Sequence, residues 1–318
     1  MRIVEAAEAR ERLTMDVCIP LMREALVALE SGQATQPPRS ICALPHDRSF
    51  GFMPAYMGDG DCLGAKVITA FPQNAGTEYP SHMGYVMIFE AEHGSFVGMA
   101  DCSVVTEVRT GAVSGVATDL LARKDAHVVG MVGAGAQARS HLAAMMLVRP
   151  AIDEVRVYDI RPEAAAAYAA EMSAKYGVEV KVCGGVEQAV RDADIICTVT
   201  PSKEAYLPLE WVKPGAHVNA VGTFSPSTRE VCSDLVAASK LYGDQVEATR
   251  RESGEYLVPL AEGLIGEDHI VGSIGDILLG RVPGRESDDE ITMFDALGLA
   301  VEDVICGRYL VCGEKGQE

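Results

Sequence analysis

The chain contains 318 residues, which is enough for two domains that each bury a core of their own. It carries 46 acidic against 27 basic residues, and its net charge of -19 argues against sequence-independent binding to nucleic acid. The same charge argues against docking on an anionic membrane surface. A hydrophobic fraction of 48% excludes disorder of the whole chain.

The cysteines and the N-terminus bear on the cellular compartment. The nine cysteines include no C-x-x-C pair, so we predict neither a zinc site nor any other metal site. We expect them to be free thiols in a reducing compartment. The first residues are partly acidic and lack the apolar core of a signal peptide. Because no apolar run approaches the ~20 residues of a membrane span, we predict a cytoplasmic protein.

The first 120 residues combine a helix with several short strands. Apolar residues at helical spacing predict a helix over Asp16–Glu30. Turns rich in glycine then separate five predicted strands, a pattern that indicates an antiparallel sheet. These strands are Arg39–Leu44, Phe50–Pro54, Ala65–Ala70, Tyr85–Glu90 and Ser95–Ala100.

From about Ala126 onward, strands alternate with helices. This pattern predicts an α/β fold with a Rossmann-type, doubly wound parallel sheet. The predicted strands are His127–Val132, Val155–Asp159, Val178–Cys183, Ile195–Thr200 and His217–Val221, and the predicted helices are Gln137–Val148, Pro162–Tyr176 and Val186–Ala193. The chain ends in another predicted helix, whose apolar stripe consists of Phe294, Leu297, Val301, Val304 and Ile305.

A glycine-rich motif lies between the first strand and the first helix of this region. It has the pattern G-x-G-x-x-A, in which Gly133 allows a tight turn and Gly135 lets the backbone approach a pyrophosphate. Ala138 allows the helix to pack closely on the strand, and the helix N-terminus at Ala136 and Gln137 favours a phosphate group. The alternative is a strand–helix turn without a ligand. In this context we predict a dinucleotide-binding domain.

The next predicted strand ends at Asp159, near the spacing expected for an acid that binds the ribose 2′-hydroxyl of NAD. A carboxylate there repels a 2′-phosphate, so we predict NAD as the cofactor. Arg161 can accept a 2′-phosphate and keeps NADP open as the less favoured alternative. Asp159 can also cap the following helix. Further candidate cofactor contacts lie at the ends of later strands, at Thr198, Val221 and Gly222.

Cations in the first region are candidates for binding a substrate that exchanges hydride with the cofactor. Lys66 lies within a predicted apolar strand, where burial is costly unless the charge is paired or serves a site. The alternative is a lysine on the solvent-facing side of that strand. Arg39 and Arg109 have the same two interpretations. His82 is either a proton donor or a loop histidine.

Together these stretches resemble the ornithine cyclodeaminase/mu-crystallin family over nearly the whole chain. The resemblance rests on residues 36–39, 53–56, 66–67, 80–82, 109–110, 133–138, 211–222, 252–255 and 294–303. It implies a homodimer and an α+β substrate-binding and dimerisation domain, formed by residues 1–120 plus 293–318. Residues 121–292 are then the NAD-binding Rossmann domain. The resemblance also implies that Arg39, Lys66 and Arg109 bind a substrate carboxylate, and that the lysine is a proton donor.

One departure from the family concerns the reaction. Ornithine cyclodeaminases carry an aspartate in a Gly-Gly-Asp segment, where this chain has Val221, Gly222 and Thr223. We therefore predict an NAD-dependent imine reductase or amino-acid dehydrogenase. Its candidate reactions convert iminosuccinate to aspartate, iminopyruvate to alanine, or pyrroline-2-carboxylate to proline. A cyclodeaminase with tightly bound NAD and a non-catalytic ligand-binding protein are the alternatives.

Overall fold

A computed structural model describes residues 1–58, 61–74 and 77–313, which form two compact units. The first unit combines Met1–Arg109 with Gly298–Glu318, and the second comprises Thr110–Leu297. The sequence placed the two boundaries at residues 120/121 and 292/293. A continuous helix, Cys102–Leu121, runs through the first boundary, and a strand that belongs to the second unit, Ile291–Asp295, lies across the second one.

The helices and strands of the first 121 residues are β1 (Arg2–Val4), α1 (Ala6–Arg12), α2 (Met15–Glu30), β2 (Ser40–Leu44), β3 (Arg48–Tyr56), β4 (Cys62–Ala70), β5 (His82–Glu90), β6 (Phe96–Asp101) and α3 (Cys102–Leu121). Those that follow, up to the second boundary, are β7 (Val128–Val132), α4 (Ala136–Val148), β8 (Glu154–Tyr158), α5 (Pro162–Tyr176), β9 (Glu179–Val182), α6 (Val186–Val190), β10 (Ile195–Thr198), β11 (His217–Ala220), α7 (Ser233–Ala238), β12 (Ser239–Gly243), α8 (Val246–Glu252), α9 (Gly254–Ala261), β13 (Ile270–Ser273), α10 (Ile274–Leu278) and β14 (Ile291–Asp295). The last helix is α11 (Ala300–Cys312).

The first unit is built on a six-stranded sheet with the order β1-β6-β5-β4-β3-β2. The pairs from β2 to β6 are antiparallel, as predicted, and β1 adds a parallel edge strand. Helix α11 packs against five of these strands, β1, β3, β4, β5 and β6, and against α2. Because α11 is buried along nearly its whole length, its side chains form much of the core of this unit.

The second unit is built on an eight-stranded sheet in which every pair is parallel, with the order β13-β12-β14-β11-β10-β7-β8-β9. This confirms the predicted doubly wound α/β fold. The chain reverses its direction of winding between β7 and β10, and such a switch point is where doubly wound sheets bind ligands, outside the carboxyl ends of their strands. The last residues of neighbouring strands are in register there: Tyr158, Val132, Thr198, Ala220 and Asp295.

The predicted C-terminal helix was wrong in its first turns. Phe294 belongs to strand β14, Leu297 lies in the connection that follows, and the helix begins only at Ala300. Both side chains are buried. An apolar run that is buried as a strand has no periodicity to distinguish it from a buried helix.

All nine cysteines are free thiols, and five of them are buried. Within residues 1–58, 61–74 and 77–313, no helix combines the length and the apolar character that crossing a membrane requires.

Candidate active site

Lys66 lies in the middle of β4, between Met53 of β3 and Val86 of β5. It is 3% exposed, which excludes the solvent-facing alternative. Its Nζ lies 2.7 Å from Oδ2 of Asp303 and 3.5 Å from Oγ1 of Thr106. Burial lowers the pKa of Lys66, and the charge of Asp303 opposes that effect. The lysine is therefore held as one half of a buried ion pair.

Arg109 lies beside this pair, on helix α3. Asp101 caps the helix by accepting a hydrogen bond from the backbone N–H of Val104 (2.9 Å), and Arg109 follows within two turns. Its Nη1 donates to Glu302 Oε2 (2.9 Å) and its Nε to Asp303 Oδ1 (3.2 Å). Asp303 therefore contacts both buried cations.

Arg39 contacts the backbone just before the start of α11. Its Nη2 donates to the carbonyl oxygen of Gly298 (3.0 Å). Gly298 has a φ of +80°, and a Cβ at this position would lie 2.6 Å from Nη1 of Arg109. Only glycine allows the backbone to pass between the two guanidinium groups. The structure thus brings Arg39, Lys66 and Arg109 together at the N-terminus of one helix.

The carboxylates that hold these cations were missed in the sequence. Glu302 and Asp303 are both fully buried in the first turn of α11, where the positive end of the helix dipole also favours them. Glu302 Oε2 additionally accepts the backbone N–H of Leu299 (3.2 Å). The sequence does contain an indication of these residues, because two adjacent acidic residues lie within the apolar stripe of the predicted C-terminal helix. With Arg39, Lys66 and Arg109 they leave a net charge of +1, which suits a small anion.

His82 begins β5 and is exposed, with Nδ1 3.1 Å from the hydroxyl oxygen of Ser81. Neighbouring protein atoms still desolvate part of its ring, and this lowers the pKa of His82. The charge of Lys66 lowers it further, so the two side chains interact electrostatically. Both effects favour the neutral form of the His82 ring.

The glycine-rich motif occupies the connection from β7 to α4, as predicted. Gly133 has a φ of +105°, and Gly135 precedes the first helical residue, Ala136. A Cβ built on Gly135 meets no atom within 4 Å, so the space above this backbone is open to a ligand. Ala138 is fully buried, while Gln137 is half-buried at the helix N-terminus. These residues fit a dinucleotide pyrophosphate.

Asp159 follows β8 directly and supports the motif. Its Oδ2 accepts the backbone N–H of Ala134 (2.9 Å), and its Oδ1 accepts that of Arg161 (2.9 Å). The Arg161 side chain is 63% exposed, and its Nε lies 3.5 Å from Asp159. Asp159 therefore lies at the edge of the sheet that the carboxyl ends of the parallel strands form. The predicted contact with the ribose requires an acid at this edge.

The remaining predicted cofactor residues lie at the same edge. Thr198 ends β10 and is fully buried. Val221 and Gly222 follow β11, where Val221 donates its backbone N–H to the carbonyl oxygen of Thr198 (3.1 Å). Thr223, which stands in place of the cyclodeaminase aspartate, is 7% exposed.

A further acid at this edge, Asp295, ends β14 and is 1% exposed. Burial raises the pKa of Asp295 to about 7, against the smaller opposing effect of Ser253. The folded chain therefore binds a proton here that the unfolded chain has already released at neutral pH. This acid makes folding less favourable as the pH rises from the ordinary value of 3.8 toward 7.

Replacing Asp295 with asparagine is expected to raise the free energy of unfolding above pH 7, by up to about 4 kcal/mol. At pH 4 the variant and the wild type should differ little, because the pH is then close to the ordinary pKa of 3.8 and the unfolded chain also binds much of the proton that the folded chain holds. Thermal unfolding of the ligand-free protein between pH 4 and pH 8 measures the difference. The surface variant Glu163→Gln should follow the wild type throughout, and a pH-independent effect of Asp295→Asn would contradict the expectation.

Comparison with known proteins identifies relatives of the whole chain. The family model "Ornithine cyclodeaminase/mu-crystallin family" matches residues 1–312. The ketimine reductase mu-crystallin of Mus musculus is 36% identical over 312 residues, which cover 96% of this chain and 95% of that protein.

Three solved structures share the fold over almost their full length. The pyrroline-2-carboxylate reductase of Thermococcus litoralis, solved with NADH and L-proline, has a TM-score of 0.93 and 36% identity, covering 96% of this chain and 95% of its own. An archaeal alanine dehydrogenase dimer with bound NAD has a TM-score of 0.91 and 32% identity, with coverages of 97% and 94%. The iminosuccinate reductase of Paracoccus denitrificans with NAD⁺ has a TM-score of 0.90 and 28% identity, with coverages of 98% and 95%. The fold, the identity and the matched length confirm the resemblance: the chain belongs to the ornithine cyclodeaminase/mu-crystallin family.

Proposed function

We propose that the protein catalyses the NAD(H)-dependent reduction of a small α-imino acid to the L-amino acid. The observation that carries the proposal is the convergence of Arg39, Lys66 and Arg109 beside two buried carboxylates. Guanidinium groups bind a carboxylate through paired hydrogen bonds. A lysine whose pKa is lowered by burial is suited to proton transfer near neutral pH. Relatives solved with NADH or NAD support the cofactor.

The residues of the first unit orient and protonate the substrate. Arg39 and Arg109 hold its α-carboxylate, and Lys66 keeps the imine nitrogen protonated, because an iminium carbon accepts hydride more readily than a neutral imine. His82 is the nearby group that can assist Lys66 in keeping the imine nitrogen protonated. Bound NADH supplies the hydride. In the reverse direction Lys66, in its neutral form, takes up the proton that the amino group loses.

The side chain of the substrate is the finer part of the proposal. Iminosuccinate, iminopyruvate and pyrroline-2-carboxylate are the candidates, and the three solved relatives are named for reactions of these kinds. A dicarboxylate needs a further polar contact, which we assign to His82 because the charge of Lys66 reaches it. We also propose a homodimer, supported by the alanine dehydrogenase dimer and by Ile41, Phe50 and Phe52, which are exposed on the first sheet.

A panel of imines tests the reaction and its substrate together. Purified protein is mixed with NADH or NADPH and with oxaloacetate plus ammonia, pyruvate plus ammonia, or pyrroline-2-carboxylate. Loss of cofactor absorbance at 340 nm, a general property of reduced nicotinamide, identifies the imine that is reduced. Ammonia release from ornithine without net oxidation of the cofactor would instead identify a cyclodeaminase. Tight binding of NADH without either reaction would identify a non-catalytic protein.

Replacing Asp159 with asparagine is expected to shift the cofactor preference toward NADPH by about tenfold, or about 1.4 kcal/mol. The change removes a carboxylate that repels the 2′-phosphate and releases Arg161 to bind it. The ratio of kcat/KM for NADPH to that for NADH measures the shift. Glu163→Gln, a surface acid in the following helix, is the matched control and should leave the ratio unchanged. An unchanged ratio in Asp159→Asn would show that Asp159 does not contact the ribose of the cofactor.

A further inference from the structure

Glu230, in the connection between β11 and α7, is fully buried, and its carboxyl group accepts hydrogen bonds from two backbone N–H groups and two side-chain hydroxyls. Its Oε1 accepts the backbone N–H of Thr200 (2.7 Å), the hydroxyl of the same residue (2.6 Å) and the hydroxyl of Tyr206 (2.7 Å). Its Oε2 accepts the backbone N–H of Gly222 (2.8 Å). The carboxyl group therefore joins the segment after β10 to the segment after β11.

These two segments are pressed together where Glu230 joins them. A Cβ on Gly222 would lie 2.1 Å from the carbonyl oxygen of Thr200 and 2.7 Å from the carboxyl carbon of Glu230. Thr200 also lies against the glycine-rich motif, since a Cβ on Gly133 would lie 3.3 Å from its methyl group. Glu230 thus controls the position of backbone at the carboxyl ends of β10 and β11, next to β7.

A second buried acid holds Glu230 itself. Glu255 Oε1 accepts the backbone N–H of Glu230 (2.6 Å), and Oε2 accepts that of Val231 (3.2 Å). Within the described part of the chain, neither Glu230 nor Glu255 forms an ion pair with a basic side chain. A buried carboxyl group without a cation is costly, so the hydrogen bonds to Thr200 and Gly222 are what offset its burial.

The position of these segments identifies the half of the cofactor that they serve. A doubly wound sheet consists of two mononucleotide-binding halves. The first half, with the glycine-rich motif and Asp159, takes the adenosine and the pyrophosphate. Strands β10 and β11 open the second half, which takes the nicotinamide mononucleotide.

We infer that Glu230 is a positioning residue for the nicotinamide half of NAD(H), because its carboxyl group fixes the two segments that form that half of the edge. The inference rests on the proposed function, since it requires that the chain binds this dinucleotide. Glu230 acts through Thr200 and Gly222 and touches neither substrate nor cofactor.

Glu230→Gln tests the inference with almost no change in shape. The amide oxygen can still accept from Thr200 and Tyr206, but the amide NH₂ then faces the N–H of Gly222. Two donors repel, so the segment after β11 has to move. We expect the dissociation constant of NADH to rise by about tenfold, because the buried N–H of Gly222 is left without an acceptor. The dissociation constant of ADP, which lacks the nicotinamide half, should change by less than about twofold.

Tyr242→Phe is the matched control, because it removes a buried hydroxyl that donates to the carbonyl oxygen of Pro283 (3.0 Å) elsewhere in the same unit. Both of its affinities should stay at the wild-type values. Equal weakening of ADP and NADH by Glu230→Gln, or no weakening, overturns the inference. If Glu230→Gln does not fold, Thr200→Val is measured by the same criteria. A wild-type protein that fails to bind NADH overturns the proposed function instead.

Discussion

Lys66→Met is expected to lower imine turnover by at least about a hundredfold while the affinity for NADH stays within about twofold. Methionine preserves the length of the side chain but removes the proton that keeps the imine activated. Lys66 belongs to the first unit, whereas the glycine-rich motif and Asp159 belong to the second, so loss of the lysine should spare the cofactor. Steady-state kinetics and titration of NADH fluorescence measure the two quantities.

A surface lysine provides the control for this experiment. Lys181, on β9, is 45% exposed and pairs with Glu154 and Glu179. Lys181→Met should keep full turnover. Normal turnover in Lys66→Met would exclude Lys66 from the chemistry, and loss of NADH affinity in the same variant would point to misfolding rather than to a missing proton.

Asp303→Asn is expected to move the alkaline limb of the pH profile of imine reduction to lower pH by about one unit or more, and to lower the rate above that limb by about tenfold. Asp303 lies 2.7 Å from Lys66, and its charge raises the pKa of the lysine against the effect of burial. Without that charge, Lys66 loses its proton at lower pH. Activity that needs the protonated lysine is then lost from the alkaline side.

The profile of kcat/KM between pH 6 and pH 10 measures this shift. Glu302→Gln is the matched control, because Glu302 holds Arg109 at 2.9 Å and does not pair directly with Lys66. This control should raise KM for the imine and leave the alkaline limb where it is in the wild type. Identical limbs in Asp303→Asn and the wild type would show that Asp303 does not set the protonation of Lys66.

Local patterns in the sequence were sufficient for the glycine-rich connection and for five of the eight strands of the parallel sheet, whereas β12, β13 and β14 were missed. Strands such as β7 are short apolar runs bounded by turns, and helices such as α5 carry their own start and stop residues, Pro162 and Gly177. The 20-residue helix α3 was missed because it is buried nearly all round, with Ser114 and Thr118 as inaccessible as Val113 and Val116. A helix without an exposed face leaves no amphipathic period to detect.

The same limit applies to the candidate site, where local sequence patterns indicated some of the residues but not the partners that contact them. Lys66 could be selected because a charge inside an apolar strand is anomalous at the level of a few residues. Its partner, Asp303, could not, because periodicity describes one element at a time and the two residues lie far apart in the sequence, on β4 and α11. For the same reason the sequence could not indicate that Gly298 allows Arg39 and Arg109 to approach each other.

The two ends of the chain meet in the first unit, and this has a consequence for the order of folding during synthesis. Residues 110–297 form an uninterrupted unit, whereas the first unit needs residues from both termini. When the ribosome has completed residue 109, Lys66 and Arg109 have no carboxylates to neutralise them, because Glu302 and Asp303 are synthesised only after the whole second unit. The first unit is therefore completed after the second, although its strands β1 to β6 are synthesised before it. A nascent chain that stops before Gly298 holds the whole second unit but lacks the carboxylates that pair with Lys66 and Arg109.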